Sequence, residues 1–345
     1  MDTLTHAIFG AVVGQAGFRR SLGRRAMAYG AAAAVMPDLD VVAGLVAGPY
    51  AAWLWHRGPT HSVFFAAIGG ALLGWLVWRL HAGGEGAKAA RRPLLAWVGL
   101  FWVVLFTHPV LDLFTHYGTQ LLAPLSRHRF AIPAMPVIDP VYTLALLAAM
   151  VVGLFARRSV VVARGAGAAG LFFVIAYTLF AWSLNERAAD VAHRQLRSEG
   201  VAGAAVEAYP VLFQPYYRRI VVEMPDTFLI GFHSALVDRP IAWNRVERDH
   251  GALATRVAGT WEGEMLSWFA AGKVLWRTRS ASPGALVEGY DVRYGLPGET
   301  LLAFWGIRAE FDAEQRPLGP PAIFGTDRAP TRERLGALFA EIFGQ

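Results

Sequence analysis

SVFFAAIGGALLGWLVWRL, residues 62–80, is an apolar run in which Arg79 is the one charged side chain. A helix needs about 20 mostly apolar residues to cross the hydrocarbon core of a bilayer, so this stretch predicts a membrane span. Other apolar stretches lie at 5–18, 26–48, 94–114, 139–156 and 166–184. The first of these is short for a span and predicts a half-helix. We therefore expect an α-helical integral membrane bundle of about five to six membrane helices.

The composition of the whole chain agrees with a membrane protein. It is 55% hydrophobic and 17% charged, with a mean hydropathy of +0.36, which lies outside the usual soluble range. The absence of cysteine excludes disulfides and thiolate metal ligands. The first apolar run precedes its arginines, the reverse of a secretion signal, and predicts a retained helix. The net charge of +6 comes from short basic runs between apolar stretches, so a nucleic-acid partner is not expected.

These basic runs predict the orientation of the bundle. Eleven Lys and Arg residues lie in three connections, at 19–25, 79–92 and 157–164. The alternate connections contain three, which are Arg57, Arg127 and Arg129. Because cytoplasmic loops are enriched in Lys and Arg, the rich connections are expected in the cytoplasm. The sequence thus predicts a multi-pass protein of the inner (cytoplasmic) membrane with its N-terminus outside.

Beyond residue 185 the sequence changes character. After a polar helical connector, runs rich in aromatic and β-branched residues lie at 217–224, 227–237, 264–280, 285–296 and 301–311. Broken by Pro, Gly and Asp, such runs predict a mainly antiparallel β domain. Apolar residues at helical spacing predict a last helix at 332–343. We therefore divide the chain into a transmembrane domain, 1–185, and a soluble domain, 186–345, which is expected on the outer side.

Four short segments hold the polar chemistry of the transmembrane domain. They are THAIFG at 5–10, MPDLDVV at 36–42, HRGPTHS at 56–62 and THPVLDLFTHYG at 107–118. Ionisable groups at membrane depth are costly, so they mark candidate functional sites. At 1.5 Å per residue from the cytoplasmic side, Asp38 lies about 18 Å and His108 about 21 Å into a core about 30 Å thick. His6, His56 and His61 belong to the outer end, so the segments converge there.

The last segment has the strongest spacing signal. His108, Asp112 and His116 follow one another at intervals of four residues, which stacks side chains on one face of a helix. Pro109 lacks an amide donor and predicts a local break in that helix. A stripe of three metal-competent groups on an otherwise apolar helix therefore indicates a metal site.

The second segment adds two carboxylates beside a proline. Pro37 predicts a helix break, and a break at membrane depth implies a buried or water-filled lining. Asp38 and Asp40 are two residues apart and point in different directions on a helix. One of them can bind a metal while the other supports a histidine ligand.

A His and Asp donor set without thiols suits Zn²⁺, and also Mn²⁺ or Fe²⁺. The candidate ligands are His6, Asp38, His56, His61, His108, Asp112 and His116. More than four candidates also allow more than one ion. A bound ion activates water and clamps the oxygens of a phosphoryl or acyl group.

In order and spacing, the four segments resemble the YdjM-type family of membrane-bound metal-dependent hydrolases over about residues 1–185. The resemblance implies an integral membrane protein with a hydrolase site. It also implies distant kinship to zinc-dependent phospholipase C and related single-strand nucleases. Those relatives use His-x-x-x-Asp ligand pairs, which His108 and Asp112 match. The resemblance implies Asp38, His61, His108 and Asp112 as the firmest ligands.

We predict a metal-dependent hydrolase, a phosphoesterase acting on a lipid or lipid-linked substrate near the outer leaflet. Asp40 is the candidate proton acceptor, and Arg57 the candidate ligand of a substrate phosphate. The alternative is a non-enzymatic, metal-stabilised membrane scaffold or carrier. In a further interpretation, His108 and Asp112 form a buried hydrogen-bonded pair without a metal. Ion transport ranks last, because no polar stripe continues to the cytoplasmic side.

Overall fold

The computed structural model describes residues 1–81, 87–201, 203–298, 301–325 and 332–343. The chain forms two compact units. Unit 1 consists of Met1–Ala181 with Leu212–Gln214, and unit 2 of Trp182–Val211 with Pro215–Gln345. Unit 1 is helical, whereas unit 2 contains all the strands that the described residues form.

Unit 1 is built from helices joined mostly by short turns, apart from a longer irregular segment at 114–139. The helices are α1 Thr3–Val13, α2 Arg19–Leu22, α3 Arg25–Val35, α4 Val42–Ala47, α5 Pro49–Trp55, α6 Val63–His81, α7 Ala87–Leu113, α8 Pro140–Phe155 and α9 Val160–Ser198. A π-helical turn, Gly14–Phe18, follows α1, and 3-10 turns lie at Pro37–Val41 and Pro59–His61. The polar connector expected after residue 185 is the C-terminal part of α9, which continues into unit 2.

Four helical segments among the described residues are long and apolar enough to cross a membrane. They are Arg25–Ala47, Val63–His81, Pro93–Leu113 and Val160–Ser198. The predicted stretch at 139–156 forms the shorter helix α8. The first apolar stretch forms α1, which ends at Val13 and is too short to span, as the sequence indicates. The membrane-helix bundle is confirmed, with four spans by length where five to six were expected.

The first helix lies inside the bundle because small residues let it approach its neighbours. A Cβ at Gly10 would lie 2.2 Å from the Gly30 carbonyl oxygen of α3, so only glycine fits there. Close backbone approach of this kind is typical of helix pairs in membranes. Val12 of α1, Leu100 of α7 and Leu146 of α8 are fully buried in the same core. This packing places the polar N-terminal end of α1 beside α7.

The two prolines near the predicted site behave differently. The break predicted at Pro37 is confirmed, because α3 ends at Val35 and a 3-10 turn follows. The break predicted at Pro109 is wrong, because α7 runs unbroken to Leu113. A single missing amide donor is tolerated in a membrane helix whose other side is packed against protein. His108 is accordingly positioned by a continuous helix.

Unit 2 contains two four-stranded antiparallel sheets with strands in sequence order. The first sheet consists of β1 Ala205–Pro210, β2 Tyr217–Glu223, β3 Thr227–Ser234 and β4 Asn244–Glu247. The second consists of β5 Val274–Ala281, β6 Gly284–Asp291, β7 Trp305–Phe311 and β8 Ala322–Gly325. Phe228 of the first sheet and Leu275 of the second are fully buried in a shared core. The predicted antiparallel β domain is confirmed.

One predicted strand is partly a helix. Helices α10 Ala252–Ala258 and α11 Trp261–Phe269 separate the two sheets, so the run at 264–280 is half helix and half strand. The Thr260 side chain accepts a hydrogen bond from the Gly263 amide at 3.1 Å and caps α11. Helix α12, Arg332–Phe343, follows the second sheet and confirms the last prediction.

Candidate metal centre

Four of the predicted ligands meet inside unit 1. Asp38 lies in the 3-10 turn after α3, and His61 in the 3-10 turn before α6. His108 and Asp112 lie one turn apart on α7. One ligand atom from each residue lies within 4.8 Å of the other three, and all four side chains are buried. The prediction that separate segments converge on one group is confirmed.

Five of the six distances between these ligand atoms lie between 3.0 and 3.7 Å. The two Nε2 atoms of His61 and His108 are 3.0 Å apart. Asp38 Oδ1 lies 3.5 Å from each of them, and Asp112 Oδ2 lies 3.3 Å from His61 Nε2 and 3.7 Å from His108 Nε2. Ligand atoms at 2.0–2.1 Å from a tetrahedral ion are about 3.3 Å apart. These five distances therefore suit a single small divalent cation, and the sixth, between the two carboxylates, is within 4.8 Å.

Hydrogen bonds on the far side of each imidazole point its lone pair at this centre. His108 Nδ1 lies 2.8 Å from the Ala34 carbonyl oxygen, which only accepts hydrogen bonds. His61 Nδ1 lies 3.1 Å from Asp40 Oδ2. Each Nδ1 thus carries the proton, and Nε2 of the neutral ring is left as a ligand atom. This arrangement is typical of metal-binding histidines.

Asp112 shows the same division between its two oxygens. Oδ1 faces cations and donors: it lies 3.0 Å from Arg57 Nη2 and 3.1 Å from His6 Nε2, and it also contacts the α-amino group of Met1. Oδ2 is fully buried and has no hydrogen-bond partner within the part of the chain that the structure describes. A buried acceptor without a donor is costly, and a cation at the centre would satisfy it.

Arg57 is held by the protein itself. Its guanidinium donates to Thr115 Oγ1 at 2.6 Å in addition to its ion pair with Asp112, and the side chain is 3% exposed. These contacts favour a role in neutralising Asp112. The predicted role in binding a substrate phosphate is untested and stays a prediction.

Asp40 is saturated by donors around its carboxylate. Oδ1 lies 2.7 Å from His56 Nδ1, while Oδ2 accepts from the Arg57 amide at 3.0 Å and from Thr60 Oγ1 at 2.9 Å. With His61 Nδ1 as well, both oxygens are engaged. Asp40 therefore orients the histidines, which is the supporting role that the sequence allowed. Proton acceptance by Asp40 stays a prediction that these contacts do not favour.

The other three candidate ligands lie outside the four-atom group. His6 stacks on the His108 ring at 3.7 Å between centroids and points Nε2 at the outward oxygen of Asp112. His56 contacts Asp40 instead of the centre. His116 is buried but lies beyond the end of α7 at Leu113, so the expected three-residue stripe on one helix is wrong.

Three supporting groups escaped the sequence interpretation. Thr3 Oγ1 donates to Asp38 Oδ2 at 2.7 Å, Thr60 supports Asp40, and the Ala34 carbonyl orients His108. The sequence could have indicated Thr60, because it lies between Pro59 and His61 in HRGPTHS. It could not have indicated the Ala34 carbonyl, since every residue carries a backbone carbonyl.

Comparison with known proteins places unit 1 in a family. The chain matches no curated protein and no solved structure. A family model described as YdjM inner membrane protein matches residues 1–188, which is more than half of the chain and includes all four ligand residues of the centre. The protein therefore belongs to the YdjM inner membrane protein family.

Proposed function

We propose that unit 1 binds a divalent metal ion through Asp38, His61, His108 and Asp112 and uses it as a membrane-embedded hydrolase. The observation that carries this proposal is that four buried ligand atoms lie within 4.8 Å of one another, with both imidazole lone pairs aimed inward. The bond hydrolysed is a phosphoester of a lipid or lipid-linked substrate.

The donor set supports a catalytic site over a structural one. Structural zinc sites are dominated by cysteine, whereas catalytic sites combine histidines with a carboxylate or use histidines alone. Two imidazoles and two carboxylates suit Zn²⁺ best, and Mn²⁺ or Fe²⁺ also fit. One ion accounts for the four-atom group, and a second ion bound with the help of His6 or His116 stays a separate prediction.

A divalent ion at this centre would supply an activated water and polarise a phosphoryl oxygen. The protein's own part is to hold the ligands: Asp40 fixes the His61 ring, the Ala34 carbonyl fixes the His108 ring, and Arg57 balances the charge of Asp112. The location among apolar helices supports a lipid or lipid-linked substrate. The count of basic residues supports a site near the outer leaflet, with the N-terminus and unit 2 outside the cytoplasm.

A second candidate function is a metal-stabilised scaffold or carrier. The observation that favours it is closure: the four residues are all buried and would together supply four ligand atoms. Structural sites are closed in this way, whereas catalytic sites keep a position for water. In the hydrolase, one of the two carboxylates would have to leave room for a water ligand.

Metal content tests the shared part of both functions. We would purify wild type, His108→Ala and His128→Ala in detergent with a C-terminal tag, since Met1 contacts Asp112. His128 is exposed in a loop and serves as the matched histidine control. Elemental analysis should find stoichiometric metal in wild type and His128→Ala, and a large loss in His108→Ala. Metal-free wild type after expression in metal-supplemented medium would refute the metal centre.

Turnover and X-ray absorption separate the two functions. The hydrolase predicts release of phosphate or headgroup from a panel of phospholipids and polyprenyl phosphates. That activity should be abolished by a chelator, restored by metal, and absent in His108→Ala. Full metal occupancy with four protein ligands, no exchangeable water and no turnover would instead establish the scaffold or carrier.

A further inference from the structure

We infer that the apolar hairpin formed by α4 and α5, residues 41–55, is a re-entrant element embedded among the acyl chains of the bilayer. It joins Asp40 to His56, two residues whose Oδ1 and Nδ1 atoms lie 2.7 Å apart beside the candidate metal centre. The inference concerns what surrounds the hairpin and is independent of the hydrolase proposal.

The composition of the hairpin excludes water as its natural surroundings. Residues 41–55, VVAGLVAGPYAAWLW, contain no charged residue and no histidine. Helix α4 is the last six residues of a longer candidate span, whereas α5 has seven residues, is about 10 Å long and cannot cross a core about 30 Å thick. Gly48, with a φ of 90°, reverses the chain between the arms.

The side chains of α4 point away from the protein. Leu45 is 85% exposed and Val46 82% exposed within the described part of the chain. The arms meet through small residues instead, since a Cβ at Gly44 would lie 2.7 Å from the Ala52 Cβ. Leaving a leucine or valine in water forfeits about 1.5–3 kcal/mol each relative to burial, so these side chains require an apolar partner.

Continuity identifies that partner as lipid. Helix α4 is the C-terminal part of the candidate span Arg25–Ala47, and its exposed residues extend the apolar surface of that span. No change to polar composition separates the span from α5. The hydrocarbon that surrounds the span therefore also surrounds the hairpin, which returns the chain to the metal centre at membrane depth.

This placement gives the irregular turn at 56–61 a physical reason. Non-helical backbone at membrane depth is tolerated where it is buried in protein or lines a polar cavity. Here the turn is covered by Asp40. Its carboxylate accepts from the Arg57 amide and lies against His56 and His61. The hairpin thus connects Asp40 to His56 on the lipid-facing side of this turn.

Introduced cysteines test the inference directly, because the chain has none of its own. We would compare Leu45→Cys with two references: Leu72→Cys, 60% exposed in the middle of α6, and Glu314→Cys, exposed in a charged turn of unit 2. The proteins are placed in lipid nanodiscs, where both membrane faces are open to water. Reaction with a membrane-impermeant maleimide is then timed. In a second measurement, a fluorophore is attached to the introduced cysteine, either after unfolding and refolding or with a lipid-soluble reagent. Quenching of this fluorophore by lipids with brominated acyl chains is then measured.

Lipid embedding predicts that Leu45→Cys reacts roughly tenfold or more slowly than Glu314→Cys, because the reactive thiolate is disfavoured in an apolar environment. Its fluorophore should be quenched by brominated lipid as strongly as that at position 72. Reaction as fast as that of Glu314→Cys, without quenching, would place the hairpin in water and overturn the inference. Slow reaction without quenching would show that protein, such as a second copy of the chain, covers the hairpin, and would overturn it equally. Monodisperse gel filtration checks that each variant is folded.

Discussion

Replacing Asp40 with Asn tests whether this carboxylate orients His61, one of the four proposed metal ligands. Asp40 accepts hydrogen bonds from Thr60 and from the Arg57 amide, and it lies 2.7 Å from His56 Nδ1 and 3.1 Å from His61 Nδ1. An asparagine has one oxygen and one NH₂ group in place of two oxygens. The NH₂ group would face donors, so part of this network must break.

The expected consequence is weaker metal binding. Without the carboxylate, His61 is no longer held with its proton on Nδ1, and the tautomer with a proton on Nε2 cannot bind the metal. Loss of such a supporting contact typically weakens metal affinity by about 10–100-fold. That corresponds to about 1.4–2.8 kcal/mol of binding free energy. Asp40 itself contributes no atom to the four-atom group, so binding should be weakened and not abolished.

The assay is a competition titration of purified protein against a chromophoric zinc chelator in detergent. Asp139→Asn is the matched control, because Asp139, like the Asp40 side chain, is a carboxylate with little exposure in unit 1. It accepts from the Tyr142 amide at 3.0 Å and caps α8, and it is not one of the four candidate ligands. This control removes the same charge and should lower stability while leaving the zinc affinity at the wild-type value.

Two results would refute the assignment of Asp40. A folded Asp40→Asn protein with wild-type zinc affinity would show that its contact with His61 does not matter for the metal. An equal loss of affinity in Asp139→Asn would show that any buried carboxylate in unit 1 has the same effect, through general destabilisation.

Three further predictions concern stability and topology. A chelator should lower the melting temperature of the wild type, because an ion present at 100 times its Kd adds about 2.7 kcal/mol to the unfolding free energy; an Asp38→Asn protein that responds equally would contradict this. A cysteine at position 128 should react with an impermeant maleimide on intact cells, whereas reaction only after lysis would reverse the proposed orientation. In unit 2, burial raises the pKa of Glu223, but the contacts with Lys273 and Arg248 outweigh it and leave the pKa below its ordinary value. The stability from these contacts should be present above pH about 4.3 and decline as the pH falls further. Glu223→Gln should flatten that decline in denaturant unfolding, and an unchanged pH profile would contradict it.

The secondary structure followed from local patterns wherever one physical requirement dominated. Apolar runs of membrane length form helices because lipid offers no hydrogen bonds to an open backbone. Alternating aromatic and β-branched residues form the strands of unit 2. The pattern failed at 264–280, where the Thr260 cap and the spacing of apolar residues start a helix before the strand. It also failed at Pro109, where packing against other helices keeps α7 continuous.

For the centre, the sequence by itself determined the chemistry. With no thiol in the chain, only His and Asp side chains in four apolar segments were available, and their positions along the predicted spans indicated a common depth. Only the tertiary structure decided which atoms share the centre. It places Asp38 in the four-atom group and Asp40 against His56 and His61, although the two carboxylates are two residues apart. The reason is that each role is set by partners distant in sequence, such as the Ala34 carbonyl behind His108, and no local pattern records them.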